Sequence, residues 1–504
     1  MNLLNNSSRT LRLSAIAIGI SVLSACAVVT GKHEPMAQVG NDILNLPETS
    51  GQSLAQWQHE GWWRAYNDPT LNNLIEQALA DGPSLKVLAQ RAKTAQTNAD
   101  AVRKSHYPAG QIKASWTGQK FINGELTDYT NQLAPLVYGQ NIDLQNLPDQ
   151  GMKQTDVSAG LSWDLDLWGK NRAAYNAALG QSRAQALEYE AARQGVITQI
   201  VGLHANISAL QSRQAILRQM ITLQTTLKQR WLEREQAGLQ PVQRSVETDI
   251  AIAQMEQLSA GLNAQHAVLR AQLAALVGTT PAQLPAIRAT GNWNALRLPS
   301  TITTNILGSR PDIAAAREYI QAASEQVKSV RAEFYPDVNI SVFTGLQLIG
   351  LDDILSFKGQ NIGVKPAITL PLFSSVQLNA KLRIQQAQLD TAIAQYNKTV
   401  FEAISDAAQQ LAQQRQAQAM VSQQARIAKN QQRLAELARQ RYSVGMSPQM
   451  ETLALQAAAY SAQDALYANY ATRRLQEARL AYSLGIGFSD VIHPSALTPS
   501  NNEQ

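Results

Sequence analysis

Two periodicities divide this chain. Val338, Ile340 and Val342 alternate with Asn339 and Ser341, and Leu161, Trp163, Leu165 and Leu167 alternate with Ser162, Asp164 and Asp166. A period of two with one apolar side is the mark of strands, and four such segments are expected, at 111–121, 156–168, 337–347 and 361–370. The other pattern is a long polar and alanine-rich run without breakers. Residues 376–444 contain no glycine or proline, and 170–236 contain no proline and only Gly180, Gly195 and Gly202. Glycine and proline stop helices, so each run predicts one continuous helix. At about 1.5 Å per residue it would reach about 100 Å, where ordinary helices end after about 11–12 residues. That length spans a compartment, and the chain makes it twice.

The repetition extends to the punctuation. Pro83, Val102, Arg103, Tyr107 and Pro108 return as Pro311, Val330, Arg331, Tyr335 and Pro336, always 228 positions later. Arg234, Gly238, Pro241, Leu273, Ala274 and Gly278 return as Arg441, Gly445, Pro448, Leu480, Ala481 and Gly485, 207 positions later. Because glycines and prolines carry the register, the chain is an internal duplication. Each half reads as a helix with proline at its first turn (83–106; 311–334), a Tyr-Pro stop, two strands, the long helix, a tight Gly/Pro turn, and a returning helix of about 36 residues.

A long helix needs an equally long antiparallel neighbour, and the returning helix supplies half of it. Stacking a shorter helix on its end makes up the length. The expected pairs are 241–277 continued by 311–334, and 448–484 continued by 83–106. The irregular pieces, 279–310 and the two termini, would form a belt partway along the helices.

The N-terminus names the compartment. Arg9 and Arg12 precede the apolar run 13–23, and Leu23-Ser24-Ala25-Cys26 follows. This is a secretory signal, and its ending resembles a bacterial lipobox, in which the cysteine is acylated and becomes the first mature residue. Cys26 is the only cysteine, so no intramolecular disulfide forms. Ala27, rather than aspartate, implies sorting to the outer membrane. No other segment has the 18 or more apolar residues of a spanning helix. With 45% hydrophobic and 16% charged residues and a formal charge of +5, and no basic block interleaved with aromatics, nucleic acid is not an expected partner.

Strands of about ten residues cross an outer membrane when tilted. Four cannot close a barrel, and an open sheet in lipid leaves backbone groups unpaired. Several chains must therefore share a barrel, three giving twelve strands and two giving eight, unless the strands form a small soluble β-domain. Trp116, Phe121, Trp163, Trp168, Phe343 and Phe373 suit an interfacial aromatic girdle. The expected class is mainly α with a membrane β-barrel. The expected segments are a signal peptide (1–25), a lipid-anchored and equatorial part (26–82), repeat 1 (83–278), a linker (279–310), repeat 2 (311–485) and a tail (486–504).

The whole mature chain resembles the outer membrane factor (TolC-like) family of tripartite efflux pumps, in its NodT/OprM-type lipoprotein branch. The lipobox carries the resemblance, with Trp62-Trp63 followed by Asp68-Pro69-x-Leu71, Arg310-Pro311-Asp312, Phe334-Tyr335-Pro336, and Arg441-Tyr442-Ser443-Val444-Gly445. The resemblance implies a homotrimer with a twelve-stranded barrel in the outer membrane and a helical tunnel through the periplasm. It also implies two partners, a periplasmic adaptor and an inner-membrane transporter, most often of the resistance-nodulation-division class.

In that family, carboxylates ring the closed pore six residues after the turn glycine. The matching positions here are Glu451 after Gly445 and Arg244 after Gly238, the second a departure from the usual aspartate, and Ala454 stands where a further carboxylate is common. Opposite charges suggest a Glu451–Arg244 pair between neighbouring hairpins; the alternative is two ordinary solvated helix residues. Gly238-Leu239 and Gly445-Met446 resemble the tips that meet the adaptor, and also read as helix C-caps. Arg441 and Tyr442 resemble residues that latch the closed tip.

The six histidines lack metal-binding spacing, and no cofactor is expected beyond the covalent lipid. No nucleotide loop or catalytic triad motif is present, so an enzyme is not expected. The reading is an efflux exit duct. The alternatives are a duct for type I protein secretion, whose branch usually lacks the lipobox, and a non-conducting structural lipoprotein, which would not need four strands.

Overall fold

A computed structural model of the protein describes residues 33–39, 61–119, 152–289, 291, 293–296, 310–349, 360–371 and 373–488. The expected signal peptide, Cys26, Phe121 and most of both strand-connecting loops lie outside the described residues. The chain divides into two compact units, one of residues 1–35, 97–179 and 322–389, the other of 36–96, 180–321 and 390–504.

The first unit is built on one antiparallel sheet, β1 (Ala109–Gln119), β2 (Met152–Asp164), β3 (Asp337–Ile349) and β4 (Gln360–Thr369), hydrogen-bonded in sequence order. β1 and β4 are its free edges. β2 ends four residues before the expected limit, because Asp166 turns the chain into the next helix instead of extending the alternation. Asp166 adopts a left-handed conformation (φ 46°), and its carboxylate accepts from the Asn171 and Arg172 N–H groups at 2.9 Å each. A short polar side chain tolerates that backbone and satisfies the orphan donors of a helix start.

Seven helices are described: α1 (Pro69–Asp81), α2 (Pro83–Lys104), α3 (Lys170–Gln236), α4 (Gln243–Val277), α5 (Pro311–Ala332), α6 (Ser375–Ser443) and α7 (Gln449–Ser483). The two long ones, α3 and α6, have 67 and 69 residues. α2 and α5 stop two residues short of the expected ends. In the first, Ser105, His106 and Tyr107 donate to carbonyls three residues back, a tightened last turn ahead of Pro108. α1 was not expected from the pattern. Asp68 caps it, accepting from the Thr70 and Leu71 N–H groups at 3.1 Å, and Pro69 occupies the first turn.

In the second unit the stacking of short on returning helices corrects the expected pairs. Arg310, at the start of α5, donates to the Ser483 carbonyl at 2.8 Å. A Cβ built on Gly278, at the end of α4, would lie 2.9 Å from the Asp81 carbonyl oxygen and 3.1 Å from Pro83 Cδ. So α4 abuts α2 and α7 abuts α5: each returning helix meets the short helix of its own repeat. The short helices have 22 residues and the returning helices 35 in both repeats, so length could not distinguish the pairings. The core of this unit gathers Trp62, Trp63 and Tyr66 of a 3-10 turn, Leu71, Leu74 and Ile75 of α1, Ile197 and Ile200 of α3, and Leu480 of α7. The expected belt is thus partly a helix.

Candidate functional site

The register separates the sheet into two faces. On one, Ile112, Trp116, Val157, Leu161, Trp163, Val342, Ile362, Val364 and Ile368 are exposed although large and apolar. On the other stand Gln111, Lys113, Asp156, Ser158, Ser162, Asn339, Ser341, Asn361 and Lys365. Exposed apolar surface of this extent needs a cover, and alternation of this kind is how a membrane barrel divides lipid from lumen.

Among the expected girdle aromatics, Trp116 and Trp163 lie on the apolar face. Phe343 does not, which corrects its assignment. It faces Gly160 on β2 and Gly363 on β4, and its ring covers Gly363 so closely that a Cβ there would clash at 2.6 Å. At the helix-side end of the sheet, Trp168 stacks on Tyr335 at 4.9 Å and donates to the Pro336 carbonyl at 2.8 Å. Lys170 bridges Asp164 (3.1 Å) and Asp337 (2.7 Å) there.

In the second unit the helices run side by side in the order α4, α3, α7, α6. Gln214 of α3 meets Asn263 of α4 at 2.8 Å, and Gln424 of α6 donates to the Ala462 carbonyl of α7 at 2.9 Å. Between the hairpins, Arg213 of α3 clasps Asp464 of α7 with two bonds of 2.9 and 3.2 Å. Beyond that clasp, Arg218, Thr222 and Thr226 of α3 and Tyr460 of α7 line an open groove. Among the described residues, α3 and α7 expose no large hydrophobic side chain. The outer helices do: Val246, Ile250, Leu258 and Val268 on α4, and Phe401, Met420, Ile427 and Leu434 on α6.

The hairpin tips repeat one closure. Gly238 and Gly445 are left-handed (φ 71° and 77°). The Leu239 N–H reaches the Arg234 carbonyl at 2.9 Å, and the Met446 N–H reaches the Arg441 carbonyl at 2.8 Å. These are Schellman closures, which take up free carbonyls at a helix end. They leave Leu239, Val242, Val444 and Met446 about two-thirds or more exposed. The side chains of Arg441 and Tyr442 are exposed, and Arg244 is bound within its own helix to Glu247 at 3.1 Å. Glu451 sits exposed in the first turn of α7.

Sequence reasoning missed a buried polar cluster. The Arg474 guanidinium lies 4.4 Å over Tyr66 and 4.9 Å over Trp293, and Trp293 stacks on Tyr470 at 5.4 Å. Glu477, fully buried, accepts from the Tyr66 hydroxyl at 3.1 Å, and the Arg473 guanidinium donates to the Trp293 carbonyl. Burial raises the Glu477 carboxyl above its ordinary value against the pull of Arg473. Nearby, His204 lies 3.6 Å from Asp68. Burial lowers its pKa to about 4, Asp68 opposing and Arg474 assisting. The signal was legible in Trp62-Trp63 and Asp68-Pro69, but their partners are over a hundred positions away. The cluster fastens the 3-10 turn and the 293–296 segment to α7. Among the described residues no group of acidic, histidine or cysteine side chains could hold a metal, and no helix is long and apolar enough to cross a membrane.

Comparison with known proteins gives the same architecture. Residues 74–279 and 303–486 each match the family described as outer membrane efflux protein. The multidrug resistance outer membrane protein MdtQ of Escherichia coli O157:H7 is 29% identical over 397 residues, 77% of this chain and 80% of that protein. MdtP of the same organism, also a multidrug resistance outer membrane protein, is 27% identical over 495 residues, covering 96% and 98%. Among solved structures, the outer membrane protein VceC of Vibrio cholerae is 28% identical with a TM-score of 0.71, over 86% of this chain and all of that one. The CmeC outer membrane channel of Campylobacter jejuni superposes with a TM-score of 0.77 at 18% identity, over 94% and 97%. The fold is that of trimeric channels with a helical tunnel and a shared barrel. With both repeats matched in order, and with a sheet and hairpins of this form, the chain belongs to the outer membrane efflux protein family and is an efflux channel of the outer membrane.

Proposed function

We propose that three copies of this chain close one twelve-stranded barrel and one helical tunnel, and serve as the exit duct of a tripartite multidrug efflux pump. The observation that carries this reading is lateral incompleteness. The sheet has two unpaired edges, β1 and β4, and the exposed apolar side chains of the helix layer sit on its two outer members, α4 and α6. A patch on one side that fits a different patch on the other generates a ring. Relatives named for multidrug resistance support small toxic compounds as cargo. A periplasmic adaptor meets the tips at Gly238-Leu239 and Gly445-Met446, and a transporter of the resistance-nodulation-division class feeds the duct. The channel performs no chemical step.

Cys26 carries the lipid. Met36 donates to Asp390 at 2.9 Å and Val39 donates to Asn397 at 2.8 Å, so this strap runs in the direction of α6, and Cys26 lies upstream of it. Ten residues from Cys26 to Met36 reach up to about 35 Å. The rise along α6 from Asp390 back to Ser375 is about 22 Å. The tether is long enough to reach the start of that helix, next to β4 in the chain.

Purified protein in detergent should have the mass of three chains and conduct in planar bilayers, with an acylated Cys26 in the N-terminal peptide. A folded, monodisperse monomer would overturn the shared barrel, and an unmodified N-terminus at Ala27 would overturn the anchor.

A further inference from the structure

With the apolar face of the sheet in lipid, the polar face lines the water-filled interior of the barrel. Counting from the helix-side end of each strand, the fifth residue is Lys113 in β1, Gly160 in β2, Ser341 in β3 and Lys365 in β4. The register puts all four on the polar face. Both lysines are exposed, and neither is ion-paired among the described residues. Of the acids on that face, Asp164 and Asp337 lie at the strand ends, where Lys170 binds both. Asp156 stands opposite Ser115, diagonal to Lys113 and away from Lys365, so one carboxylate per copy faces two ammonium groups and the belt keeps a net positive charge. Lys113 and Lys365 also occupy the two edge strands. When β4 of one copy pairs with β1 of the next, Lys365 and Lys113 stand on neighbouring strands and on the same face, each the fifth residue from the helix-side end of its strand.

We propose that these lysines form a cationic belt of six ammonium groups that makes the barrel an anion-preferring exit, with amphiphilic organic anions as its favoured cargo. The proposal rests on the three-copy barrel. Rings of lysine or arginine are how pores select anions, and low-dielectric walls focus the field of such a ring into the lumen. The apolar part of the ligand is read from Phe343. This aromatic ring lies on the polar face, flat over Gly363, which is two residues from Lys365 on the adjacent strand. It is 39% exposed. An aromatic body resting on Phe343 places a carboxylate or sulfonate within reach of Lys365, and the long lysine stem adapts to different anions without a fixed geometry.

The test uses thiol reactivity in the full-length protein in proteoliposomes. Ser341→Cys places a thiol at the belt, and Val342→Cys places one on the opposite face. Methanethiosulfonate reagents of like size, one bearing a sulfonate and one a quaternary ammonium, are compared with a free thiol in solution. At Ser341→Cys the anionic reagent should gain about tenfold over the cationic one, and Lys113→Gln with Lys365→Gln should remove the gain. Val342→Cys should be protected from both reagents. If it reacts as fast as Ser341→Cys, the barrel reading itself fails. If it is protected while Ser341→Cys shows no preference, or a preference that survives the lysine changes, the belt is refuted and the barrel stands.

Discussion

In the proposed ring the seam between α3 and α7 has its counterpart under the duplication between α6 and the α4 of a neighbouring copy, and the two seams carry different residues. Within one chain, Arg213 and Asp464 form a two-bond ion pair at the centre of the seam. The positions 207 residues away are Met420 on α6 and Gln257 on α4, an exposed thioether and an amide. The tips show the same divergence. Ser245 of the first hairpin donates to the Glu235 carboxylate at 2.7 Å, while its counterpart Thr452 donates to the Ala438 carbonyl at 3.2 Å. Duplication kept the turns and helix ends, where glycine geometry leaves no choice, and released the lateral contacts. Two hairpins of one chain are thus bolted to each other, whereas α4 and α6 offer a neighbouring copy exposed apolar side chains.

The largest expected effect tests a contact that only one repeat possesses. Arg474 has Ala267 as its counterpart. Arg474→Ala should destabilise the fold by about 3–5 kcal/mol, since it strips Tyr66 and Trp293 of their shared cation and leaves Glu477 more poorly compensated. Thermal unfolding followed by helical circular dichroism reads this, and a shift near zero would show the cluster to be ornamental.

His204 offers a pH test of the same asymmetry, because its counterpart is Leu411. With a pKa of about 4 in the fold against an ordinary value near 6.5, the unfolded chain binds the extra proton between these limits. Stability should therefore be full above about pH 6.5 and fall as pH drops toward 4, by about 3 kcal/mol in all. His204→Leu, which imports the residue of the second repeat, should flatten that slope. An unchanged slope would place the titration elsewhere.

Glycine substitutions should separate the two kinds of helix end. Gly445→Ala meets open space and incurs only the left-handed backbone strain, about 1 kcal/mol. Gly278→Ala adds a clash with the Asp81 carbonyl and should cost clearly more. Equal losses would mean that α2 shifts freely on α4.

At the seam, Asp464→Gln alone leaves Arg213 half-buried without its partner, whereas Arg213→Met with Asp464→Gln copies the other seam. The double change should cost about 1 kcal/mol, and the single change should cost more. If the single is the milder, the ion pair contributes nothing to the seam.

The smallest effect concerns the tip. A Glu451–Arg244 pair between neighbouring hairpins would be exposed and contribute about 1 kcal/mol or less, in competition with Glu247 for the same guanidinium. Glu451→Arg should raise resting bilayer conductance, and adding Arg244→Glu should lower it again. Unchanged conductance in the single variant would move the latch to Arg441 and Tyr442.

The sequence made the duplication, the long helices and the two-faced strands legible because each is written in local spacing. Gly238 and Gly445 mark the tips, and Pro83 and Pro311 mark the short helices. What escaped was placement. Nothing local distinguishes α2 from α5 as the continuation of α4, since the contact that decides it joins Gly278 to residues 81–83. Phe343 read as one more interfacial aromatic until the register set it opposite two glycines. The helix of residues 69–81 was legible in Asp68-Pro69 with Leu71, Leu74, Ile75 and Ala78 at helical spacing, but it was absorbed into a belt of irregular chain. The charged members of the candidate sites were visible as residues, and their partners, such as Asp464 for Arg213, were not.

The free edges of β1 and β4 have a genetic consequence. No copy can finish its own strand pairing, so a copy with a damaged edge is built into the same ring as its sound neighbours. With three places to fill and equal expression of sound and damaged chains, only about one ring in eight is wholly sound. An edge-strand allele should therefore be dominant over the wild type, whereas an allele that prevents the chain from folding at all should be recessive.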